Sequence, residues 1–349
     1  IPIYLKHNKS NLKNCTVLVV SSAIKKSNPE YKQAKKLNLP IYKRGELLGH
    51  IVSLMKNIVV TGSHGKTTTT SILSNILNHA KLDPTIINGG VLNSIGSSAK
   101  LGKSDWSLVE SDESDGSFLQ IPFNYSIITN IDNEHLDYYK NIKNLKNNFI
   151  EFINKTPSLG KAFLCLDDKN IENILSKIKN KNYYTYGLNT KANFKIFNII
   201  QNKKFSKFDL RIQIPGKKKI IKNIRIPLLG LHNIRNATSA LAVSFSIGVT
   251  DKVIKFGLKN FKGVQRRFNY LFRKNSVPFF DDYAHHPTEI SSVLDGVKEV
   301  YKSEEIICIF QPHRISRLKK LKLEFSKCFI KADTIILCPI YKAGENIKL

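Results

Sequence analysis

Residues 61–69 read Thr-Gly-Ser-His-Gly-Lys-Thr-Thr-Thr and lie between an apolar run, residues 58–60, and a stretch whose apolar residues have helical spacing. The backbone N–H groups of a glycine turn at the start of a helix bind anionic oxygens. Lys66 can reach the β- and γ-phosphates of a nucleotide, and the Thr67 hydroxyl can bind Mg²⁺. Val60 replaces the first glycine of the standard pattern, so we predict a shortened phosphate-binding loop rather than an ordinary capped turn.

This loop belongs to a chain in which short apolar runs alternate with helical periodicities. The alternation predicts an α/β fold with mostly parallel sheets. Expected strands are residues 17–20, 58–60, 106–109, 126–129, 163–166 and 183–186. Expected helices are residues 67–79, a segment opening near residue 144, and residues 232–247. Lysine-rich alternation over residues 190–228 predicts an antiparallel appendage.

A second series of strands and helices begins near Phe268. Its expected elements are strands at 278–282, 306–310 and 334–338, a helix from residue 288 and a helix near 318–329. We therefore place domain boundaries near Lys56 and Gln265. They divide the chain into residues 1–56, 57–265 and 266–349.

Composition argues against several classes of protein. The net charge is +28 at pH 7, but the lysines are spread among many asparagines and isoleucines, whose codons are all A/T-rich. We attribute the charge to genome composition and expect no nucleic-acid partner. The five cysteines are scattered, as in proteins of the reducing cytoplasm. No apolar run approaches the ~20 residues of a membrane span, so no membrane partner is expected.

Metal ligands for a bound nucleotide are expected at the ends of two strands. Glu110 follows the apolar run 106–109, at the carboxyl end where ligands gather in open α/β sheets. His135 follows the strand at 126–129. Glu110 is a candidate ligand for Mg²⁺, and His135 for a second ion. A solvated glutamate and a structural histidine are the alternatives.

Two further polar clusters follow strands in the C-terminal part. Residues 281–287 read Asp-Asp-Tyr-Ala-His-His-Pro, and residues 311–314 read Gln-Pro-His-Arg. Each cluster delivers polar groups to the carboxyl end of an expected strand. Two such clusters in one small domain favour a substrate or phosphate site over helix caps and surface loops.

Three motifs together resemble the Mur ligase family over essentially the whole chain. They are Gly62-Ser-His-Gly-Lys-Thr-Thr-Thr69, Gly230-Leu-His-Asn-Ile-Arg-Asn-Ala-Thr-Ser-Ala240 and Gly263-Val-Gln-Arg-Arg-Phe268. The resemblance implies a three-domain α/β architecture. By this resemblance we expect a central P-loop domain between Rossmann-like N- and C-terminal domains, and we expect the outer two to be incomplete. It also implies an ATP-dependent ligase that forms an amide through an acyl phosphate.

Other segments resemble one branch of that family. Residues 110–118, Glu-Ser-Asp-Glu-Ser-Asp-Gly-Ser-Phe, and residues 310–314, Phe-Gln-Pro-His-Arg, are similar to the branch that joins L-alanine to UDP-N-acetylmuramate. Residues 21–24 and 28–30 are similar to its first-domain signature. These two small molecules are therefore the expected substrates. A sister ligase that adds a murein tripeptide or another amino acid is the main alternative.

The resemblance also implies roles for individual residues. ATP is expected at Gly62, Ser63, His64, Gly65, Lys66, Thr67, Thr68, Asn233 and Asn236. Mg²⁺ is expected at Thr67, Glu110 and His135. Catalytic roles fall to Lys66, Arg267, His285 and Arg314, and substrate contacts to Ser114, His286 and His313. We expect Lys66→Ala to abolish turnover while leaving the fold intact, and we expect the domains to close on ATP.

The chain departs from the family pattern at several places. Ile315 and Leu318 replace a tyrosine and a threonine usual after Arg314. The glycine-rich loop for the UDP group is absent, the chain starts at Ile1 without methionine, and it ends after an apparent strand. We therefore expect a fragment that is inactive by itself. The carbamylated lysine of several sister ligases is assigned to no residue. A nucleic-acid-binding P-loop protein remains a distant alternative.

Overall fold

The N-terminal segment is a small α/β unit. The computed structural model describes residues 2–345. Strand β1 (Leu18–Val20) pairs in parallel with β2 (Ile41–Lys43), and helices α1 (Pro29–Lys36) and α2 (Arg44–Val52) follow them in turn. Helix α1 begins after Asn28, whose side chain accepts hydrogen bonds from the first free N–H groups, while proline occupies its first position.

The central part of the chain contains ten strands of one sheet. They are β3 (Lys56–Thr61), β4 (Thr85–Leu92), β5 (Ser97–Lys100), β6 (Trp106–Glu110), β7 (Tyr125–Ile128), β8 (Lys161–Cys165), β9 (Tyr183–Gly187), β10 (Phe194–Asn202), β11 (Phe205–Ile214) and β12 (Lys217–Ile226). Their spatial order is β12-β11-β10-β9-β8-β7-β3-β6-β4-β5. The strands from β10 to β4 in this order are parallel.

The antiparallel segment expected at residues 190–228 exists, but it is not a separate appendage. Its first strand, β10, pairs in parallel with β9, and β11 and β12 continue the same sheet in antiparallel register. Strand β12 is the edge, and its exposed residues include Lys217, Lys218 and Lys219. Charged side chains on an edge strand oppose pairing with other chains. Part of the lysine excess therefore has a structural use.

Six helices accompany the central sheet. They are α3 (Lys66–His79), α4 (Leu136–Tyr139), α5 (Ile142–Asn154), α6 (Lys169–Ile174), α7 (Leu231–Ser246) and α8 (Asp251–Lys259). Helix α5 is amphipathic and buries Leu145, Phe149 and Phe152. Helix α3 is buried over residues 67–77 because α7 and α8 pack against it. Strands β4 and β5 and helix α8 were not predicted from the sequence.

The C-terminal segment has a small core of its own. An antiparallel hairpin, β13 (Asn269–Lys274) with β14 (Val277–Asp281), leads into α9 (Pro287–Val300). Strand β15 (Ile307–Phe310) pairs in parallel with β16 (Thr334–Leu337).

The single helix expected near 318–329 is in fact two short helices, α10 (Ile315–Lys320) and α11 (Lys322–Lys327). The break falls at Leu321, whose φ of −114° and ψ of 32° lie outside the helical region.

The parallel strands determine where a site can form. Strands β3, β6 and β7 are neighbours, and their carboxyl ends open at one edge of the sheet. The phosphate-binding loop follows β3, Glu110 is the last residue of β6, and residues 129–135 follow β7. No helix within residues 2–345 is both long enough and apolar enough to cross a membrane.

Candidate active site

The phosphate-binding loop turns sharply between β3 and α3, and glycine is required at both bends. Gly62 has a φ of +123°, and a Cβ there would lie 2.2 Å from Thr129 Oγ1. Gly65 has a φ of +81°, and a Cβ there would lie 2.8 Å from Asn236 Oδ1. Only glycine adopts these conformations without strain and tolerates such close neighbours. The loop is therefore shaped for backbone contact with a ligand, and Asn236 lies directly against it.

Hydrogen bonds fix the Lys66 side chain against the backbone of the loop. Its Nζ donates to the carbonyl oxygens of Gly62 and Ser63 at 2.6 and 3.1 Å, and to Glu113 Oε2 at 2.8 Å. Burial by itself lowers the pKa of Lys66, but the charges of Glu113 and Asp112 outweigh it and raise this pKa. The side chain is therefore a fixed cation inside the loop.

Glu113 is a functional candidate that sequence reasoning passed over. Its side chain is fully buried, and Oε1 accepts no hydrogen bond from the described residues. Oε1 lies 3.5 Å from His135 Nε2, while Oε2 pairs with Lys66. This pair argues against the expectation that Lys66→Ala leaves the fold intact, because the substitution would leave a buried carboxylate without its cationic partner.

Oxygen donors suited to Mg²⁺ meet beside the loop. The Thr67 hydroxyl donates to Glu110 Oε1 at 2.9 Å, and Gly89 N–H donates to Glu110 Oε2 at 2.6 Å. Asp112, Glu113 and His135 form a second group, whose potential ligand atoms lie within 4.8 Å of one another. Hydroxyl and carboxylate oxygens are the ligands that Mg²⁺ prefers. The structure thus brings the three predicted metal residues to one side of the loop.

A cavity of about 400 Å³ opens on one side of the loop. Helix α7 contributes Asn233 and Asn236, and the loop contributes His64, Gly65 and Thr68. Asn233 Nδ2 donates to Leu229 O at 2.8 Å, and Asn236 Nδ2 donates to Asn233 Oδ1 at 3.3 Å. Both amides are therefore fixed and present further polar atoms to the cavity, as recognition of a nucleotide base requires.

Ionisable groups in this cavity are strongly perturbed. Burial, with a smaller effect of Arg235, lowers the pKa of His232 to about 4. Burial raises the pKa of Asp168 to about 6. Arg235 Nε pairs with Asp167 Oδ2 at 2.7 Å. His232 is therefore neutral at pH 7 and can donate or accept a hydrogen bond without bringing a charge.

A second cavity, of about 600 Å³, lies on the other side of the loop, and all three domains line it. Arg44 and Leu48 come from the N-terminal segment. Lys66, Thr67, Glu110 and His135 come from the central sheet, and Arg267, His285, Glu289 and Arg317 from the C-terminal part. Gly65, Arg267 and Glu289 line both cavities. The two cavities therefore meet at the phosphate-binding loop.

Four residues expected to have catalytic or substrate roles lie outside the described lining of both cavities, as does Gly62 of the phosphate-binding loop. Ser114 Oγ donates to Asp112 Oδ2 at 2.8 Å. His286 is buried as the N-cap of α9, and the His313 ring stacks on Tyr341 at 5.4 Å. Arg314 precedes α10 with a φ of +70°. Their catalytic and substrate roles stay predictions.

Arg317 reaches the second cavity instead of Arg314. Its NH2 lies 3.8 Å from Glu134 Oε1, and its NH1 donates to His313 O at 3.4 Å. Arg317 lies in α10, three residues after Arg314, whereas Arg314 precedes the helix with a φ of +70° and does not share its face. The position of Arg317 in the first turn after the motif at residues 310–314 was the available signal.

The loop histidine is enclosed by carboxylates. His64 Nε2 lies 2.9 Å from Asp132 Oδ2, and Nδ1 lies 3.3 Å from Glu289 Oε1. Burial by itself lowers the pKa of His64, but the hydrogen bonds to Asp132 and Glu289 outweigh it and raise the pKa to about 10. Asp132 and Glu289 were not singled out from the sequence, although Asp132 lies in the segment after β7.

The phosphate-binding loop lies at the carboxyl edge of a parallel sheet, between two cavities, one of which is lined by all three domains. These features define a P-loop nucleotide-dependent enzyme. Comparison with protein families gives its particular kind. Residues 1–56 match the model described as Mur ligase family, catalytic domain, and residues 60–244 match the Mur ligase middle domain. Residues 266–348 match Mur ligase, glutamate ligase domain. The chain belongs to the Mur ligase family and is an ATP-dependent ligase, as the motifs predicted.

Individual relatives agree with this assignment. A UDP-N-acetylmuramate–L-alanine ligase of Pelagibacter ubique is 63% identical over 350 residues, which cover 100% of this chain and 75% of the relative. A second UDP-N-acetylmuramate–L-alanine ligase, of Bartonella quintana, is 42% identical, and the match covers 99% of this chain and 73% of that relative.

Solved structures show the same three-domain fold. The UDP-N-acetylmuramate–alanine ligase of Thermotoga maritima superposes with a TM-score of 0.83 at 28% identity, over 99% of this chain and 76% of that one. A murein peptide ligase of Psychrobacter arcticus gives a TM-score of 0.69 at 21% identity, over 96% and 80% of the two chains. This second likeness shows the fold alone.

Proposed function

We propose that this ligase joins L-alanine to UDP-N-acetylmuramate in peptidoglycan precursor synthesis, with conversion of ATP to ADP and phosphate. The observation that carries the proposal is the 63% identity, over the whole chain, to a relative bearing that activity in its name. The two cavities that meet at the phosphate-binding loop suit a reaction between a nucleotide and a second, larger substrate. The free cysteines suit the cytoplasm, where we infer that the reaction occurs.

Each domain has a distinct task in this proposal. Residues 57–265 bind ATP, with the base beside Asn233 and Asn236 and the phosphates at the loop. Residues 1–56 belong to the domain that binds the UDP substrate, and they line the second cavity through Arg44 and Leu48. Residues 266–349 close over both substrates. We place the lactyl carboxylate in the second cavity, close to Lys66 and Arg267.

Mg²⁺ fits the donors that the structure brings together. Thr67 and Glu110 would hold one ion, and the buried, unpartnered oxygen of Glu113 with His135 suits a second. When bound, Mg²⁺ neutralises negative charge on the phosphate oxygens.

The chain's own residues act mainly by position and charge. The lactyl carboxylate oxygen attacks the γ-phosphorus of ATP, ADP leaves, and an acyl phosphate forms. The amine of L-alanine then attacks the acyl carbon, phosphate leaves with the former carboxylate oxygen, and the amine loses a proton. Lys66 and Arg267 carry fixed positive charge toward the transferring phosphoryl group, which is the contribution that phosphoryl transfer requires. His285, whose pKa burial lowers, is neutral at pH 7 and suits the proton transfer from the amine.

Oxygen labelling tests this reaction. UDP-N-acetylmuramate with both lactyl carboxylate oxygens replaced by ¹⁸O is incubated with ATP, L-alanine and the protein from its complete reading frame. We expect one ¹⁸O atom in each released phosphate and one in the new amide, measured by mass spectrometry. Unlabelled substrate is the control. Phosphate without ¹⁸O would show that water, not the carboxylate, attacks ATP.

A further inference from the structure

Polar contacts join the phosphate-binding loop and the strand end behind it to the C-terminal domain. We define the interdomain cluster as His64, Asp132, Glu134, Thr288, Glu289 and Arg317. Its contacts between domains are His64 Nδ1 to Glu289 Oε1 at 3.3 Å, Thr288 Oγ1 to Asp132 Oδ2 at 2.6 Å, and Arg317 NH2 to Glu134 Oε1 at 3.8 Å.

His64 is the one loop side chain in this cluster, and its two ring nitrogens face different domains. Nε2 bonds Asp132 of the central domain, and Nδ1 faces Glu289 of the C-terminal domain. The side chain is only 11% exposed. Its backbone is fixed independently, because His64 N–H donates to Asn130 Oδ1 and His64 O accepts from Thr129 Oγ1. The ring can therefore be changed while the path of the loop is kept.

The charges of the cluster require His64 to be cationic. Asp132, Glu134 and Glu289 are three carboxylates around one imidazole. Arg267 NH1 lies 3.9 Å from Glu289 Oε1, and Arg317 neutralises Glu134 from the other side. Without the imidazolium, Asp132 and Glu289 would lose the cation that each of them contacts from its own domain.

We propose that the His64 side chain is a positioning residue that couples the phosphate-binding loop to closure of the C-terminal domain. Glu289 lies in the first turn of α9, and its Oε2 accepts from the backbone N–H of His285 at 3.1 Å. A phosphate that orders the loop therefore orders His64, then Glu289, and then His285 beside the second cavity. The catalytic consequence of this coupling rests on the ligase activity proposed above, whereas the effect on domain closure does not.

Two substitutions test the roles of the two ring nitrogens of His64 separately. In His64→Asn the amide occupies roughly the place of Nδ1, and in His64→Gln that of Nε2, so neither can bridge Asp132 and Glu289. Because the loop backbone that binds phosphate is kept, we expect the Kd of each variant for ATP to change far less than kcat at saturating ATP, which should fall about 10- to 100-fold, within the range of coupling between contacting residues. His79→Asn, an exposed histidine at the end of α3, is the matched control and should change neither quantity.

Closure is measured separately by small-angle X-ray scattering with a non-hydrolysable ATP analogue. The parent protein and His79→Asn should become more compact with the analogue, and both His64 variants should not. Compaction of the His64 variants equal to that of the parent, or no compaction of the parent itself, would overturn the coupling. These readouts need no turnover, so they stand even if L-alanine proves not to be the substrate.

A double-mutant cycle then tests the contact itself. Glu289→Gln keeps the capping bond to His285 but removes the charge facing His64. We expect His64→Asn combined with Glu289→Gln to lose no more kcat than the worse single variant, because both remove the same interaction. Losses that multiply would contradict a direct His64–Glu289 link, and a loss confined to KM for ATP, with kcat unchanged, would contradict the coupling.

Discussion

Lys66→Ala is expected to reduce turnover by at least about 10³-fold, since it removes the fixed cation at the transferring phosphoryl group. Lys66 Nζ is the cation that the structure holds inside the loop, bonded to two loop carbonyls and to Glu113. The loss should be in kcat more than in KM for ATP, because the glycine backbone remains to bind the phosphates.

The same substitution should also destabilise the fold. Glu113 is fully buried, so removing its partner leaves an uncompensated carboxylate at a cost of about 3 kcal/mol or more. Adding Glu113→Gln to Lys66→Ala removes that charge and should restore most of the lost thermal stability, while turnover stays absent.

Scanning calorimetry and phosphate release on Lys66→Ala, Glu113→Gln and the double variant separate the two effects. Relative to Lys66→Ala, we expect the double variant to recover most of the lost Tm but none of the lost kcat. Near-normal turnover in Lys66→Ala would refute the phosphate-loop assignment. An unchanged Tm in Lys66→Ala would contradict the inference that Lys66 stabilises the buried carboxylate of Glu113.

Glu110→Gln is expected to lower kcat by about 10²- to 10³-fold, an effect comparable to the loss of one electrostatic stabiliser of the transition state. The carboxylate accepts from the Thr67 hydroxyl and from Gly89 N–H. Glutamine has nearly the same size and can keep one of these bonds, so the fold should persist. The concentration of Mg²⁺ needed for half-maximal activity should rise, because a neutral amide oxygen binds the ion more weakly than a carboxylate.

A titration of activity against Mg²⁺ concentration measures this effect. Glu172→Gln, an exposed glutamate of α6, is the matched control and should follow the parent curve. A Glu110→Gln enzyme with the parent's Mg²⁺ dependence would contradict the assignment of Glu110 as a metal ligand.

Local sequence predicted the elements that carry phosphate chemistry. The glycine turn, the apolar strand before it and the helix after it are encoded within residues 56–79, so α3 and β3 were recognised. Glu110 and His135 were recognised because each follows a buried strand, and neighbouring parallel strands end at one edge.

The features that the sequence did not reveal depend on contacts distant along the chain. Glu113 is notable only because folding buries it against Lys66, 47 residues away. Glu289 gains its partner, His64, across the domain boundary. The pairing of β10 with β9, which joins the antiparallel strands to the central sheet, is likewise determined by tertiary contacts. Strand alternation at 190–228 predicted the strands but not their neighbour.

The C-terminal clusters illustrate a different limit. The motif at residues 310–314 directed attention to His313 and Arg314, yet Arg317 is the side chain that lines the second cavity. Which residue of a helical turn faces a cavity depends on the backbone at the start of the helix. Here Arg314 has a φ of +70° immediately before α10, and this sets the orientation of the turn.

The most direct test of the account is amide formation by the protein expressed from its complete reading frame. ATP, Mg²⁺ and UDP-N-acetylmuramate are supplied with either L-alanine or the tripeptide L-alanyl-γ-D-glutamyl-meso-diaminopimelate, and the products are identified by mass spectrometry. We predict UDP-N-acetylmuramoyl-L-alanine and stoichiometric phosphate release with L-alanine, and no product with the tripeptide. Ligation of the tripeptide but not of L-alanine would contradict the proposed function.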